Sequence, residues 1–118
     1  MEFVLYCVDK SGRAGLRGSL RLPHLSHVAT CQSAFRFGGP LLDDSGLPRG
    51  SLMILDLPDR AALDAHMRAD PFFSGGLFES VTIWQTRQVL PEREPGGLQR
   101  EMAMARRSAE TLLVLAEG

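Results

Sequence analysis

Two spacings of apolar residues alternate along this chain, and their order predicts its fold. Residues 3–8, "FVLYCV", form a continuous apolar run rich in β-branched and aromatic side chains, which marks a strand covered on both faces. After the turn "DKSGRAG" the period lengthens, and Leu16, Leu20, Leu25, Val28 and Ala29 recur at helical spacing in a stretch that ends near Ala34. Pro23 either kinks this helix or occupies the first turn of one that begins near Leu22. "SAFRF" predicts a second strand, stopped by Gly38, Gly39 and Pro40. The turn-rich "LLDDSGLPRG" then leads to a third strand over residues 51–57, again apolar on both sides. Pro58 is placed to open a second helix at its first position, with Asp59 in the first turn and an end near Arg68. "DPFFSGG" breaks that helix. "LFESVTIWQTRQV" alternates as a long fourth strand, with Val81, Ile83 and Val89 on one face and Trp84 on the other.

The order β-α-β-β-α-β predicts an α+β domain of ferredoxin-like type with a four-stranded antiparallel sheet. Helices cover one face of such a sheet, yet the first and third strands are apolar on both. A second copy packed sheet against sheet, a homodimer, covers the other face; the alternative is cover by the chain's own tail. "PEREPGG" is a polar linker, so the domain is expected over residues 1–90, with a linker and helical extension over 91–118. In that extension Leu98, Met102, Ala105, Ala109, Leu112 and Leu113 repeat at helical spacing. The helix either packs on its own domain or dimer partner, or recruits a separate protein.

Composition narrows the function classes. At 118 residues and 44% hydrophobic content the chain suits one compact core. Its net charge of −1, with arginines scattered among acids, gives no basic stripe for nucleic acid. No apolar stretch reaches the ~18 residues needed to cross a bilayer. "MEFVLYCVDK" lacks the basic start of a secretory leader, so a cytoplasmic protein is expected. The two cysteines, Cys7 and Cys31, form no CxxC and read as reduced, buried small hydrophobes.

If the first helix continues through Pro23, Arg17, Arg21 and His24 fall at i, i+4 and i+7, on one face. Two guanidiniums and an imidazole together call for an anion, a carboxylate partner or solvent. If the helix starts near Leu22, its dipole keeps His24 neutral, which suits a general base. Asp9, after the first strand, is a candidate to orient the His24 ring, or is a plain turn residue in "VDKSG". Asp43 and Asp44 in "GGPLLDDSG" either line a pocket mouth beside Gly38 and Gly39 or simply make a turn. Asp70, before Pro71, ends the second helix and is a further candidate for the same cavity. His27 and His66 read as surface or packing residues. The spacings of His24, His27, Asp43 and Asp44 match no metal-ligand pattern, and phosphate loops, nucleophile elbows and dinucleotide fingerprints are absent from the sequence. No metal and no cofactor are expected.

"YCVDK", "RLPHL" (residues 21–25), "GGPLLDDSG" and "ADPFFSGGLFESVTI" follow one another in a fixed order and spacing. Their succession resembles the YciI-like family (YCII-related domain) over roughly residues 1–90. The resemblance implies a ferredoxin-like fold of the dimeric α+β barrel superfamily and a pocket centred on a histidine–aspartate pair. His24 matches the family histidine; Asp9 matches the acid after the first strand and is the preferred partner, with Asp43 and Asp70 as alternatives. Gly39, Pro40 and Leu41 match a Gly-Pro-Leu segment, and Asp70 and Pro71 an Asp-Pro segment. The tail after Pro91 departs from the family's usual ending. Some relatives resemble muconolactone-processing or dehydrochlorinating enzymes.

The expectation is therefore a small cofactor-free enzyme of lyase or isomerase type acting on a small anionic organic acid or lactone. In it His24 is the general acid or base, Asp9 orients it, and Arg17 or Arg21 holds a substrate carboxylate beside Gly39, Pro40, Asp43 and Asp70. The alternative is a non-catalytic dimeric ligand-binding or accessory module whose tail helix contacts a partner.

Overall fold

The computed structural model describes residues 1–117. The chain divides into two compact units, one over Met1–Thr86 and one from Arg87 onward. The first contains β1 (Glu2–Asp9), α1 (Ala14–Ala29), a 3-10 turn (Gln32–Ala34), β2 (Phe35–Leu42), β3 (Pro48–Asp56), α2 (Arg60–Ala69), α3 (Pro71–Ser74) and β4 (Phe78–Thr86). The strands lie in the order β2-β3-β1-β4, every neighbour antiparallel. This is the expected ferredoxin-like α+β topology.

Alternation along the strands decides what is buried. Phe3, Leu5 and Cys7 of β1 share one face with Met53 and Leu55 of β3, and Leu63 of α2 completes that cluster. The intervening residues point the other way: Tyr6 lies beside Leu52, and Val4 beside both Ile54 and Trp84. On that second face Tyr6 is 47%, Phe37 50% and Trp84 67% exposed. The strands that read as covered on both sides are thus buried on one.

Several boundaries differ from the sequence expectation for identifiable reasons. β2 continues through Gly38, Gly39 and Pro40 because it is an edge strand, where a missing N–H donor interrupts no ladder on the open side. α1 is continuous through Pro23 and ends at Ala29. Both Pro23 and Ser19, whose carbonyl loses its helical donor, are exposed, so water can satisfy that group. α2 starts after Asp59, whose carboxylate accepts a hydrogen bond from the Ala62 N–H at 2.8 Å, so Pro58 lies outside the helix. β4 ends at Thr86, leaving Val89 outside it. Gly50 is obligatory in β3, since a Cβ there would overlap the Cys7 carbonyl oxygen.

The second unit holds α4 (Gly97–Glu117). Its start is capped by Glu92, whose Oε1 accepts the Leu98 N–H at 3.0 Å, and Arg87 pairs with Glu101. Near its end Leu112, Leu113, Val114 and Leu115 are 62–70% exposed. No helix among the described residues is long and apolar enough to cross a membrane.

Cys7 gives the core a pH signature. Burial, reinforced by the charges of Asp70 and Asp9 and opposed by Arg17, pushes its thiol up to about 12. In the unfolded chain the thiol ionises near its ordinary pKa of about 8.5, so above that pH the unfolded state holds fewer protons than the native one and stability falls. The slope approaches about 1.4 kcal/mol per pH unit and ends at the folded value. Urea unfolding at pH 7.5 and pH 10 should show this loss in the wild type and a smaller one in Cys7→Ala. An identical pH dependence in the two would reject the buried, protonated thiol.

Candidate active site

Asp70 organises the site. It precedes Pro71, which keeps its backbone extended at φ −82°, ψ 120° and ends α2 there. Its own N–H still donates to the carbonyls of His66 (3.1 Å) and Met67 (3.3 Å). Its Oδ1 accepts the Phe72 N–H at 3.0 Å, capping α3. The residue is fully buried.

From α1, His24 places Nδ1 2.8 Å from the same Oδ1. The imidazole stacks on Phe72, with ring centroids 3.8 Å apart and planes 8° from parallel. Its side chain remains 13% exposed while that of Asp70 is wholly covered. A carboxylate only accepts, so Nδ1 carries the hydrogen, and in the neutral ring Nε2 is then the nitrogen with the lone pair. Asp70 Oδ2 is buried without a hydrogen-bond partner, an arrangement of the kind that a stability-optimised core avoids. Gly75, which caps α3, leaves no room for a side chain: a Cβ there would sit 2.6 Å from the Pro71 carbonyl oxygen and 2.7 Å from a Leu20 methyl of α1.

Beside this pair lies a second, separate ion pair. Arg17 Nε donates to Asp9 Oδ2 at 2.6 Å, and Nη2 donates to Asp9 Oδ1 and Ser51 Oγ, both at 2.9 Å. The Arg17 guanidinium carbon is 4.9 Å from the Phe72 ring centroid, so one aromatic ring touches both assemblies.

The expected His24–Asp9 pair is therefore corrected to His24–Asp70. Asp9 is held at both oxygens by Arg17, one helical turn from the start of α1, and the geometry of that fork outcompetes a single imidazole contact. By the same bonds Arg17 is a buried structural cation, with Nε and Nη2 already committed, rather than a free anion clamp. Arg21 is exposed on α1 and forms no ion pair among the described residues. Asp43 belongs to the β2–β3 turn: Oδ1 accepts from Ser45 N, Ser45 Oγ and Leu47 N, and Oδ2 from Arg49 Nε at 2.8 Å. Those bonds, that of Ser45 foremost, hold its carboxyl well below the usual range, and they leave it no oxygen for a pocket. Gly39 pairs with Leu52 on the open face, whereas Pro40 pairs with Ser51, the serine that Arg17 reaches. Ser51 and Phe72 were missed in the sequence. Ser51 could have been found as the polar residue in register with the core face of β3, and Phe72 by its place two residues after Asp70. An open hollow of about 460 Å³ beside α2 and α3 is lined by Asp64, Met67, Arg68, Phe73 and Ser74, none of them a residue of the His24 cluster.

The YCII-related domain model matches residues 1–87. The chain belongs to that family. Among solved structures it is similar to the 5-chloro-2-hydroxyhydroquinone dehydrochlorinase of Burkholderia phenoliruptrix AC1100 in complex with 2,5-dihydroxybenzoquinone. The identity is 24% over 75% of this chain and 95% of that one, with a TM-score of 0.70. It is also similar to a putative antibiotic biosynthesis monooxygenase of Bacteriodes thetaiotaomicron VPI-5482, at 11% identity over 80% of this chain and 93% of that one, TM-score 0.53. Both likenesses speak to the fold. No curated protein matches the chain.

Because Arg17 and Asp9 are both largely buried, removing one partner strands the other. Asp9→Asn should cost about 3–5 kcal/mol in urea unfolding, and adding Arg17→Met should recover part of that loss. A single-variant cost below about 1 kcal/mol would reject the pair as a structural element.

Proposed function

We propose that this YCII-related protein is a small enzyme that removes a proton from carbon in a small anionic organic acid, lactone or acidic hydroxyquinone. His24 Nε2 takes the proton. The electron pair of the broken C–H bond becomes a new double bond, and a leaving group departs with its own pair or the bond isomerises. Asp70 fixes the ring tautomer and stabilises the imidazolium that forms. Such chemistry draws on no redox cofactor and no metal. The observation that carries the reading is the 2.8 Å contact between a partly exposed imidazole and a wholly buried carboxylate. Elimination is also the reaction class named for the dehydrochlorinase that shares this fold. Arg21, three residues before His24 and exposed, is the cation offered to an incoming anion; Arg17 and Asp9 act from behind as scaffold.

We propose further that two copies pack through the open face of the sheet. Tyr6, Phe37 and Trp84 expose aromatic surface there that a single chain leaves in water.

2,5-Dihydroxybenzoquinone is a usable probe because its absorption reports its ionisation and surroundings. Wild-type protein should bind it, and His24→Ala should weaken binding while circular dichroism stays unchanged; on a turned-over substrate the same change should cost about 10²–10⁴-fold in kcat. Binding untouched by His24→Ala would discard the acid–base mechanism and favour the accessory-module reading. For the dimer, light scattering should give twice the chain mass for the wild type and a smaller particle for Trp84→Glu. A wild-type monomer at micromolar concentration would reject it.

A further inference from the structure

Away from His24, the layer of helices brings together three side chains that the proposed mechanism does not use. His27, near the end of α1, and Cys31, just beyond it, lie four residues apart, and His66 of α2 faces them. One donor atom from each lies within 4.8 Å of the others. Cys31 Sγ is 3.9 Å from His66 Nδ1, and the two imidazole centroids are 4.9 Å apart. Nε2 of His27 and Nε2 of His66 are both buried without a hydrogen-bond partner. A structural explanation of two imidazoles packed together leaves those nitrogens unsatisfied, which is costly in a buried site. An ion bonded to an Nε2 relieves that cost at the ring it binds.

We propose that His27, Cys31 and His66 form a binding site for a soft divalent transition metal, zinc foremost, clamping the end of α1 to α2. One thiolate and two imidazoles suit zinc and disfavour magnesium or calcium, which take oxygen ligands. Zinc bonds of about 2.0–2.3 Å set tetrahedral ligand–ligand edges of roughly 3.3–3.6 Å, so side-chain rotations that draw the widest pair of donors together by about 1.5 Å close the cluster. On binding, the Cys31 thiol gives its proton to solvent and its sulfur bonds the ion, while both histidines bind as neutral rings. Burial already favours the neutral ring at His66, aided by His27 and opposed by the Asp70 charge. Three protein ligands leave a fourth position for water or a small donor. The expectation of a metal-free chain considered His24, His27 and the acids of the β2–β3 turn; the ligand set comes instead from two helices far apart in sequence.

Cobalt(II) added to the metal-free protein tests this with a readout that needs no activity. The expected spectrum has a thiolate-to-cobalt charge-transfer band in the near ultraviolet and the intense visible bands of four-coordinate cobalt. Zinc should bleach it and, at a hundredfold excess over its Kd, raise Tm by more than about 5 °C. Cys31→Ser, close to isosteric, should abolish the charge-transfer band, and His66→Ala should abolish the tetrahedral pattern. His24→Ala should leave both, which separates this site from the His24–Asp70 pair. A weak octahedral spectrum, or a charge-transfer band that survives Cys31→Ser, overturns the proposal; the Cys31→Ser result decides even if His66→Ala does not fold.

Discussion

A carboxylate with no exposure must have its charge met by donors on the protein itself, and Asp70 is that carboxylate here. Its neighbours can be read as consequences. Pro71 fixes the backbone so that α2 stops and the side chain turns inward; the Phe72 N–H meets one oxygen; His24 is drawn from α1 to the same oxygen. The glycine at position 75 fits the same tight corner, because a Cβ there would overlap the Pro71 carbonyl oxygen and crowd the Leu20 methyls of α1. What remains unmet is Oδ2. A group stranded in that way is stable only where the surrounding packing over-determines it, and the stacked Phe72 and His24 rings supply that packing.

A second carboxylate, Asp9, lies close by in the fold, and its fate explains why the two are not interchangeable. It sits at the end of β1, where the chain turns into α1, and Arg17 presents a flat fork of N–H groups to both its oxygens. A bidentate guanidinium contact adds geometric fit to charge, so both Asp9 oxygens face Arg17 rather than an imidazole. The division of labour is clean: Asp9 neutralises a buried cation, and Asp70 sets a tautomer. Ser51 and Pro40 extend the first assembly across β3 toward the sheet edge, while Phe72 joins it to the second.

This contrast shows how much of the site the sequence carries. His24 and Asp70 were both legible as candidates, one from its helical spacing after two arginines and the other from its place before a proline. Their pairing was not legible, because it depends on how closely α1 approaches a four-residue helix that begins beyond α2. The element order was legible almost throughout, since periods of two and 3.6 separate strands from helices cleanly. The edge strand was not: Gly38, Gly39 and Pro40 read as a stop, and only the position of β2 at the sheet's margin makes them acceptable there. Likewise, the all-apolar runs of β1 and β3 announced that two faces need cover; the element order already assigned one to the helices, and on the other Tyr6, Phe37 and Trp84 are exposed.

The helices carry two polar clusters, and both hang on the same pair of elements. α1 supplies His24 to one and His27, with Cys31 just past its end, to the other. α2 supplies His66, and its terminating residue is Asp70, whose N–H donates to the His66 carbonyl. Any change in how α1 meets α2 at the outer cluster therefore acts on the same backbone that aims Asp70 at His24. Charge links them as well: burial first, then the neighbouring His27, favours the neutral His66 ring, and the Asp70 carboxylate pulls the other way. Two helices that each contribute to both clusters cannot shift for one without moving the donors of the other. The placement of α1 relative to α2 and its terminating residue thus bears on both of these clusters, whereas the Arg17–Asp9–Ser51 assembly rests on α1, β1 and β3.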